Sequence, residues 1–218
     1  MKKLKYIFLL AGALLLASCE SWLDEDPQYT INTKTQFSTV ENAKQALMGC
    51  YGYMSADNAY GQAWQEVTFG YCGFGWSQTN GSSTDLLVSM DGGIDETINT
   101  MAWRGMYKVI GETNAFIANI ADSPLESADK LPMEAAARFL RALAYYNLAV
   151  TYGDVPLKTT PSAHDGVAVP RSPKNEVFEL VRTDWEFAYE NLPEKDDDGF
   201  ATKWAAKAYL GKLYHTLG

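Results

Sequence analysis

The stretch Leu131–Pro156, LPMEAAARFLRALAYYNLAVTYGDVP, reads as one long helix with a stop at each end. Pro132 suits the first helical turn, where a missing N–H costs nothing, and Glu134 follows where the helix dipole favours negative charge. No Gly or Pro interrupts the body as far as Tyr152. Gly153 then supplies a left-handed cap, and Pro156 forbids continuation. Apolar side chains at Phe139, Leu140, Leu143, Ala144, Tyr146, Leu148, Ala149 and Val150 cover more than one face, which predicts neighbours on several sides. The expected fold class is therefore all-α, a packing unit of several helices.

Other helices follow on either side of this one. Ser38 and Glu41 have capping-box spacing, and Ala43, Leu47, Cys50, Tyr51 and Met54 recur at helical intervals behind them. Gly49 inside that pattern suggests a close backbone approach. Trp103 to Ile120 repeats the spacing through Trp103, Tyr107, Ile110, Asn114 and Ile117, with Asn114 expected as a buried hydrogen-bonding residue at a helix crossing. After a Pro- and Thr-rich connection, Ser172 and Pro173 are placed to open the next helix as N-cap and first residue. Val177, Val181, Trp185, Ala188 and Leu192 form its stripe, and Pro193 ends it. A solvated acidic turn, 194–199, leads to a last helix from Lys203 to Leu217, so these two helices form a hairpin.

The long helix and the last one match each other at an offset of 65 residues (218 less 153). Phe139 falls on Trp204, Leu148 on Leu213 and Gly153 on Gly218. This offset is close to twice the roughly 34-residue period of tetratricopeptide repeats, and it predicts stacked helical hairpins.

Between Asp57 and Thr100 the helical pattern breaks down into a long irregular loop. Tyr60, Trp64, Phe69, Tyr71, Phe74 and Trp76 are set among Gly61, Gly70, Gly73, Gly75 and Gly81. A loop of this length in a small domain is usually functional or mobile. Its rings and its amide tips, Gln78 and Asn80, suit a sugar, which offers C–H faces to stack on and hydroxyls to bond. Trp76 is the first choice for stacking, with Tyr71 and Phe74 next, and Gln78, Asn80 and Asp85 are the hydroxyl partners. Trp64, Phe69 and Tyr71 have the alternative task of filling the space between helices.

Composition narrows the function classes. A formal charge of −9 without a basic cluster beyond the first residues argues against nucleic acid. Aromatic residues make up 13% of the chain, with 6 Trp and 13 Tyr, and lean toward flat, weakly polar ligands. No enzyme is expected. Glycoside hydrolysis needs two carboxylates about 5 to 9.5 Å apart, and the candidates, Glu66 with Asp85 or Asp95 with Glu96, read more simply as solvated loop acids. His164 and His215 lie on different elements without partners at ligand spacing, so neither a metal nor a cofactor is called for. Whether Cys50 and Cys72 pair is left open.

The N-terminus is a targeting segment. Lys2, Lys3 and Lys5 precede an apolar run, Ile7 to Leu16, too short to span a bilayer. Leu16-Ala17-Ser18-Cys19 resembles the lipobox of bacterial lipoproteins, which implies cleavage after residue 18 and acylation of Cys19. Three acyl chains, at about 0.8 kcal/mol per buried CH₂, make such an anchor effectively permanent. Residues 19–37 then form an acidic tether and lead-in, and 38–218 the helical body.

Taken in order, several features resemble the SusD/RagB family of Bacteroidetes surface lipoproteins. They are the lipobox, Leu23-Asp24 with Pro27, Leu47-Met48-Gly49-Cys50-Tyr51, Trp103 with Tyr107 and Asn114, Arg138-Phe139-Leu140-Arg141-Ala142, Tyr152-Gly153-Asp154-Val155-Pro156-Leu157, and Pro170-Arg171. The resemblance implies tetratricopeptide-like helical hairpins with long loops and no catalysis. It also implies a glycan or other nutrient as ligand and a TonB-dependent, SusC-like transporter in the outer membrane as partner. Family members are typically more than twice this length, so an N-terminal portion is expected. Relatives often carry a binding aromatic just after the acidic residue matched by Asp85. Here Leu86, Leu87, Val88, Ser89 and Met90 follow instead, which assigns the platform to the rings before Asp85. The rival expectation is a helical protein-interaction module that docks on the transporter without a ligand of its own.

Overall fold

The structure is a computed structural model. It describes residues 33–70, 72, 75–76, 85, 88–90, 97–161, 169–196 and 198–218. The compact unit they form starts at Thr33. Its elements are α1 (Thr33–Gln36), α2 (Val40–Ser55), a π turn (Asp57–Gly61), α3 (Ala63–Gly70), α4 (Thr97–Ala121), α5 (Ser127–Tyr152), β1 (Val155–Pro156), β2 (Arg171–Ser172), α6 (Lys174–Asn191) and α7 (Lys203–Leu217).

Helix α5 is the hub. From Met133 to Ala149 every side chain is buried except those of Glu134 and Arg138, which are half-buried. Six of the buried residues, Ala135, Ala136, Ala137, Ala142, Ala144 and Ala149, are alanines whose small side chains let neighbouring helices come close. α5 packs against α4, α6 and α2, and α6 packs against α7, so consecutive helices form the expected hairpins. The α6 stripe predicted from sequence, Val177, Val181, Trp185, Ala188 and Leu192, is buried throughout. In the repeated pair, Leu148 and Leu213 are both buried, whereas Phe139 is buried and its counterpart Trp204 is exposed.

Several boundaries differ from the sequence expectation, each for a local reason. α5 starts a turn early, at Ser127, so Pro132 is its sixth residue rather than an opening one. Asp129 and Lys130 both donate their N–H groups to the Glu126 carbonyl at 3.0 Å, which nucleates the helix there. The Lys130 Nζ reaches the carbonyls of Ala121 (3.1 Å) and Ser123 (2.7 Å), a cation placed on the open C-terminal end of α4. At α2 the N-cap is Thr39, whose Oγ1 accepts from Asn42 N at 3.2 Å. Ser38 is unavailable because its hydroxyl donates to the Thr35 carbonyl at 2.8 Å. Gly49 is exposed, and a Cβ there would meet nothing within 4 Å, so the close approach expected at that position does not occur. It occurs instead at Gly105, where a Cβ would stand 1.9 Å from the Asn58 carbonyl oxygen. The backbone of the π turn thus rests directly on α4.

The Gly153-Asp154-Val155-Pro156 stop ties three helices together. Gly153 has φ +75° and ψ −124°, a positive-φ conformation outside the left-handed helical basin that only glycine adopts easily. Asp154 Oδ1 accepts from the N–H of Lys174, the first residue of α6, at 2.8 Å. That bond does the capping expected of Ser172, which sits in the β1–β2 pair, while Pro173 occupies the N-cap position without a side-chain bond of its own. Val155 is fully buried. The Pro156 carbonyl accepts from Tyr107 Oη at 2.7 Å, and Tyr145 Oη both accepts from Lys158 N (2.6 Å) and donates to Lys158 O (2.8 Å). Asp154→Ala is expected to lower stability by about 1 kcal/mol, the usual worth of an N-cap, measured as a shift in urea midpoint.

Between α2 and α7, Tyr51 Oη accepts from Ala201 N at 2.8 Å, and its ring lies 5.2 Å from that of Phe200. Burial pushes the Tyr51 hydroxyl up from 10.0 to about 12, against the opposing pull of that N–H bond. Burial, and then the charge of Glu112, pushes the neighbouring Cys50 thiol up from 9.0 to about 12. Both groups stay neutral in the fold while the unfolded chain ionises them at ordinary values. Their contribution to stability is therefore complete below pH 9 and is lost as pH rises through 12. The thermal midpoint should hold up to about pH 9 and fall above it, and Cys50→Ala should delay the onset toward the tyrosine range.

Candidate functional site

The segment expected as irregular loop from Asp57 onward begins with more order than its sequence suggested. The π turn is followed by α3, whose Ala63, Trp64, Val67 and Gly70 are buried, and α4 starts at Thr97, before Trp103. The Trp64 ring lies 6.4 Å from that of Tyr60, whose Oη accepts from the buried Asn147 amide at 2.7 Å. Trp64 therefore does fill the space between helices. Phe69, given the same alternative task, is exposed.

Beyond α3 the chain turns at Cys72, whose N–H (3.3 Å) and Sγ (2.8 Å) both point to the Phe69 carbonyl. Cys50 and Cys72 are both free thiols, the first buried and the second exposed, so they do not pair. Trp76 has 77% of its surface open. Asp85 is half-buried and lies in a helical turn, its carbonyl accepting from Ser89 N (2.9 Å) and Ser89 Oγ (2.8 Å). Met90 ends that turn with φ +57°, the left-handed conformation common just past a helix end, and is exposed. Tyr71, Phe74, Gln78 and Asn80, and the lipidation candidate Cys19, lie outside the described residues. So do Asp95 and Glu96. Glu66 accepts from Gln62 Nε2 at 2.6 Å along the open side of α3. Among the described residues no group of His, Cys, Asp and Glu is arranged to hold a metal ion, and no helix is long and apolar enough to cross a membrane.

The frame that holds this loop contains a buried charge network that sequence reading missed. Arg141 donates to both oxygens of Asp184, from Nε and Nη2, at 2.8 Å each. Its Nη1 reaches Asn114 Oδ1 at 2.9 Å, and the Asn114 amide donates onward to the carbonyls of Lys158 (3.0 Å) and Thr160 (3.2 Å). Asn114 is thus the crossing residue its position suggested. Arg138 adds a longer contact to Asp184 at 3.4 Å while pairing with Glu134 at 2.6 Å. The available signal was Asp184 itself, a carboxylate seven residues after Val177 on an otherwise apolar stripe.

A family model described as SusD-like, "Starch-binding associating with outer membrane", matches residues 21–215. Among curated proteins, the SusD-like protein P25 of Formosa agariphila is 25% identical over 96% of this chain and 42% of its own length. Among solved structures, a SusD superfamily protein of Bacteroides thetaiotaomicron superposes with TM-score 0.71 at 25% identity, over 81% of this chain and 42% of that one. A second solved structure, containing a xylogluco-oligosaccharide, gives TM-score 0.70 at 26% identity over 79% of this chain and 34% of that one. The chain spans about two fifths of the length of the curated relatives it matches. With a single family model covering nearly its whole length, the chain belongs to the SusD-like family.

Proposed function

We propose that this chain binds a glycan at the cell surface and passes it to a TonB-dependent outer-membrane transporter. The observation that carries the reading is Trp76, a large ring with 77% of its surface open, in the segment between helices α3 and α4. Family membership and a relative solved with a xylogluco-oligosaccharide support a sugar as the ligand of such a ring. Tyr71 and Phe74 supply further stacking, and Gln78, Asn80 and Asp85 bond hydroxyls. The protein works by binding, without catalysis.

The leader, 1–18, is removed, and Cys19 carries the lipid. The acidic segment 19–37 links the anchor to the body, 38–218. Outer-membrane association of the family agrees with this arrangement. Retardation of the full-length protein, solubilised in detergent, in native gels containing starch or xyloglucan tests the glycan reading. Migration unaffected by every polysaccharide, with a transporter still co-purifying from membranes, is the outcome that favours a docking module instead.

A further inference from the structure

Among the described residues the buried polar side chains are Thr113, Asn114, Ser123, Arg141, Asn147 and Asp184. Thr113 and Ser123 spend their hydroxyls on carbonyls of their own turn, those of Val109 and Ile120, at 2.8 Å each. Asn114, Arg141 and Asp184 satisfy one another in the charge network. That leaves Asn147, on the hub helix between the buried Tyr146 and Leu148. Its amide reaches out of α5 and donates to Tyr60 Oη in the π turn at 2.7 Å, with Met106 Sδ beside it at 4.0 Å. Stability gives no reason for this choice, because two apolar groups of the same shape serve such a space about as well as a hydrogen-bonded pair. What the bond adds is direction: it fixes where the Tyr60 side chain points.

The chain from Tyr60 to Trp76 is built on that fixed point. Gln65 Nε2 donates back to the Tyr60 carbonyl at 2.5 Å, and the Trp64 ring packs 6.4 Å from the Tyr60 ring, so the start of α3 is tied to Tyr60 through both backbone and ring. At the far end of α3 the Cys72 N–H returns to the Phe69 carbonyl at 3.3 Å, and Gly75 lies so near Phe69 that a Cβ there would stand 3.1 Å from its Cε1. Trp76 is the next residue. We infer that Asn147 is a positioning residue of the glycan site: acting through Tyr60, Trp64 and α3, it sets where Trp76 stands without touching the ligand. This rests on the glycan-binding reading above.

Calorimetric titration of the detergent-solubilised full-length protein with a xylogluco-oligosaccharide and with maltoheptaose, beside urea unfolding of the same samples, tests the inference. Tyr60→Phe keeps the ring on Trp64 but strands the Asn147 amide, so it should lower both the urea midpoint and the affinity. The double variant Tyr60→Phe, Asn147→Leu removes both polar partners and should recover most of the midpoint. Its affinity should stay about three- to fivefold below wild type, up to the worth of one misplaced ring–sugar contact. Its amide exchange over residues 57–70 should be faster than in wild type, with that of α5 unchanged. Affinity that returns together with the midpoint overturns the inference and leaves the glycan reading standing, as does affinity unaltered in Tyr60→Phe. A double variant no more stable than Tyr60→Phe makes the pair a structural one and overturns it as well. Failure of wild type to bind either sugar overturns the glycan reading, and the inference with it.

Discussion

Alanine at position 184 is expected to lower the free energy of unfolding by about 3–5 kcal/mol, the cost of leaving a buried ion without its partner. Asp184 is fully buried, and Arg141 is nearly so. Arg141 presents its planar fork to both carboxylate oxygens at 2.8 Å, a bidentate pair in a low-dielectric setting. Without Asp184 the guanidinium keeps only the neutral Asn114 oxygen. Arg138 suffers less, since it retains Glu134 at 2.6 Å and the Phe187 ring 4.3 Å away. Urea unfolding should therefore show a large fall in midpoint for Asp184→Ala and a smaller one for Asp184→Asn, which keeps the shape and one acceptor. The double variant Arg141→Met, Asp184→Leu should be more stable than Asp184→Ala alone, because it removes both charges together. Equal stability of Asp184→Ala and wild type would mean that the network is ornamental.

Gly105→Ala is the second large effect, expected to cost about 3 kcal/mol, the upper end for overpacking. Helix propensity alone predicts the opposite sign, since alanine is favoured over glycine by about 1 kcal/mol within a helix. The contact decides. A Cβ at 105 would lie 1.9 Å from Asn58 O and 2.4 Å from Asn58 C, which are backbone atoms with no rotamer to yield. The π turn must lift off α4, and α3, which follows it directly, moves with it. Gly105→Ala should thus weaken glycan binding as well as stability, although residue 105 lies on α4 and not in the loop. By contrast Gly49→Ala, on the open side of α2, should raise the melting temperature slightly, because nothing stands within 4 Å of the new methyl group.

Helices were legible where burial follows a simple period, as in Val177, Val181, Trp185, Ala188 and Leu192. Their ends were less so, because the bonds that start them come from outside the helix: Asp154 caps α6 from 20 residues away, and the Thr35 carbonyl removes Ser38 as a cap for α2. The short α3 escaped notice because its core contacts, Ala63, Trp64, Val67 and Gly70, span just two turns and include two small residues. Arg141 and Asp184 are 43 positions apart, and their pairing depends on how α5 and α6 cross, which neither helix encodes alone. At the candidate site, the sequence singled out Trp76, and the structure shows it open. It left Phe69 and Trp64 each with two readings, a ring of the sugar-suited loop or a filler between helices, and exposure separates Phe69 from Trp64. Exposure on a loop is a tertiary property, so a list of aromatic residues could not make that distinction.

The most direct test of the account is calorimetric titration of a xyloglucan or malto-oligosaccharide into the full-length protein and its Trp76→Ala variant. Trp76 is exposed, so the substitution should move stability by less than about 0.5 kcal/mol. The account predicts measurable binding by wild type and an affinity about five- to tenfold lower for Trp76→Ala, the loss of one ring–sugar contact. Equal affinity of the two proteins would contradict it.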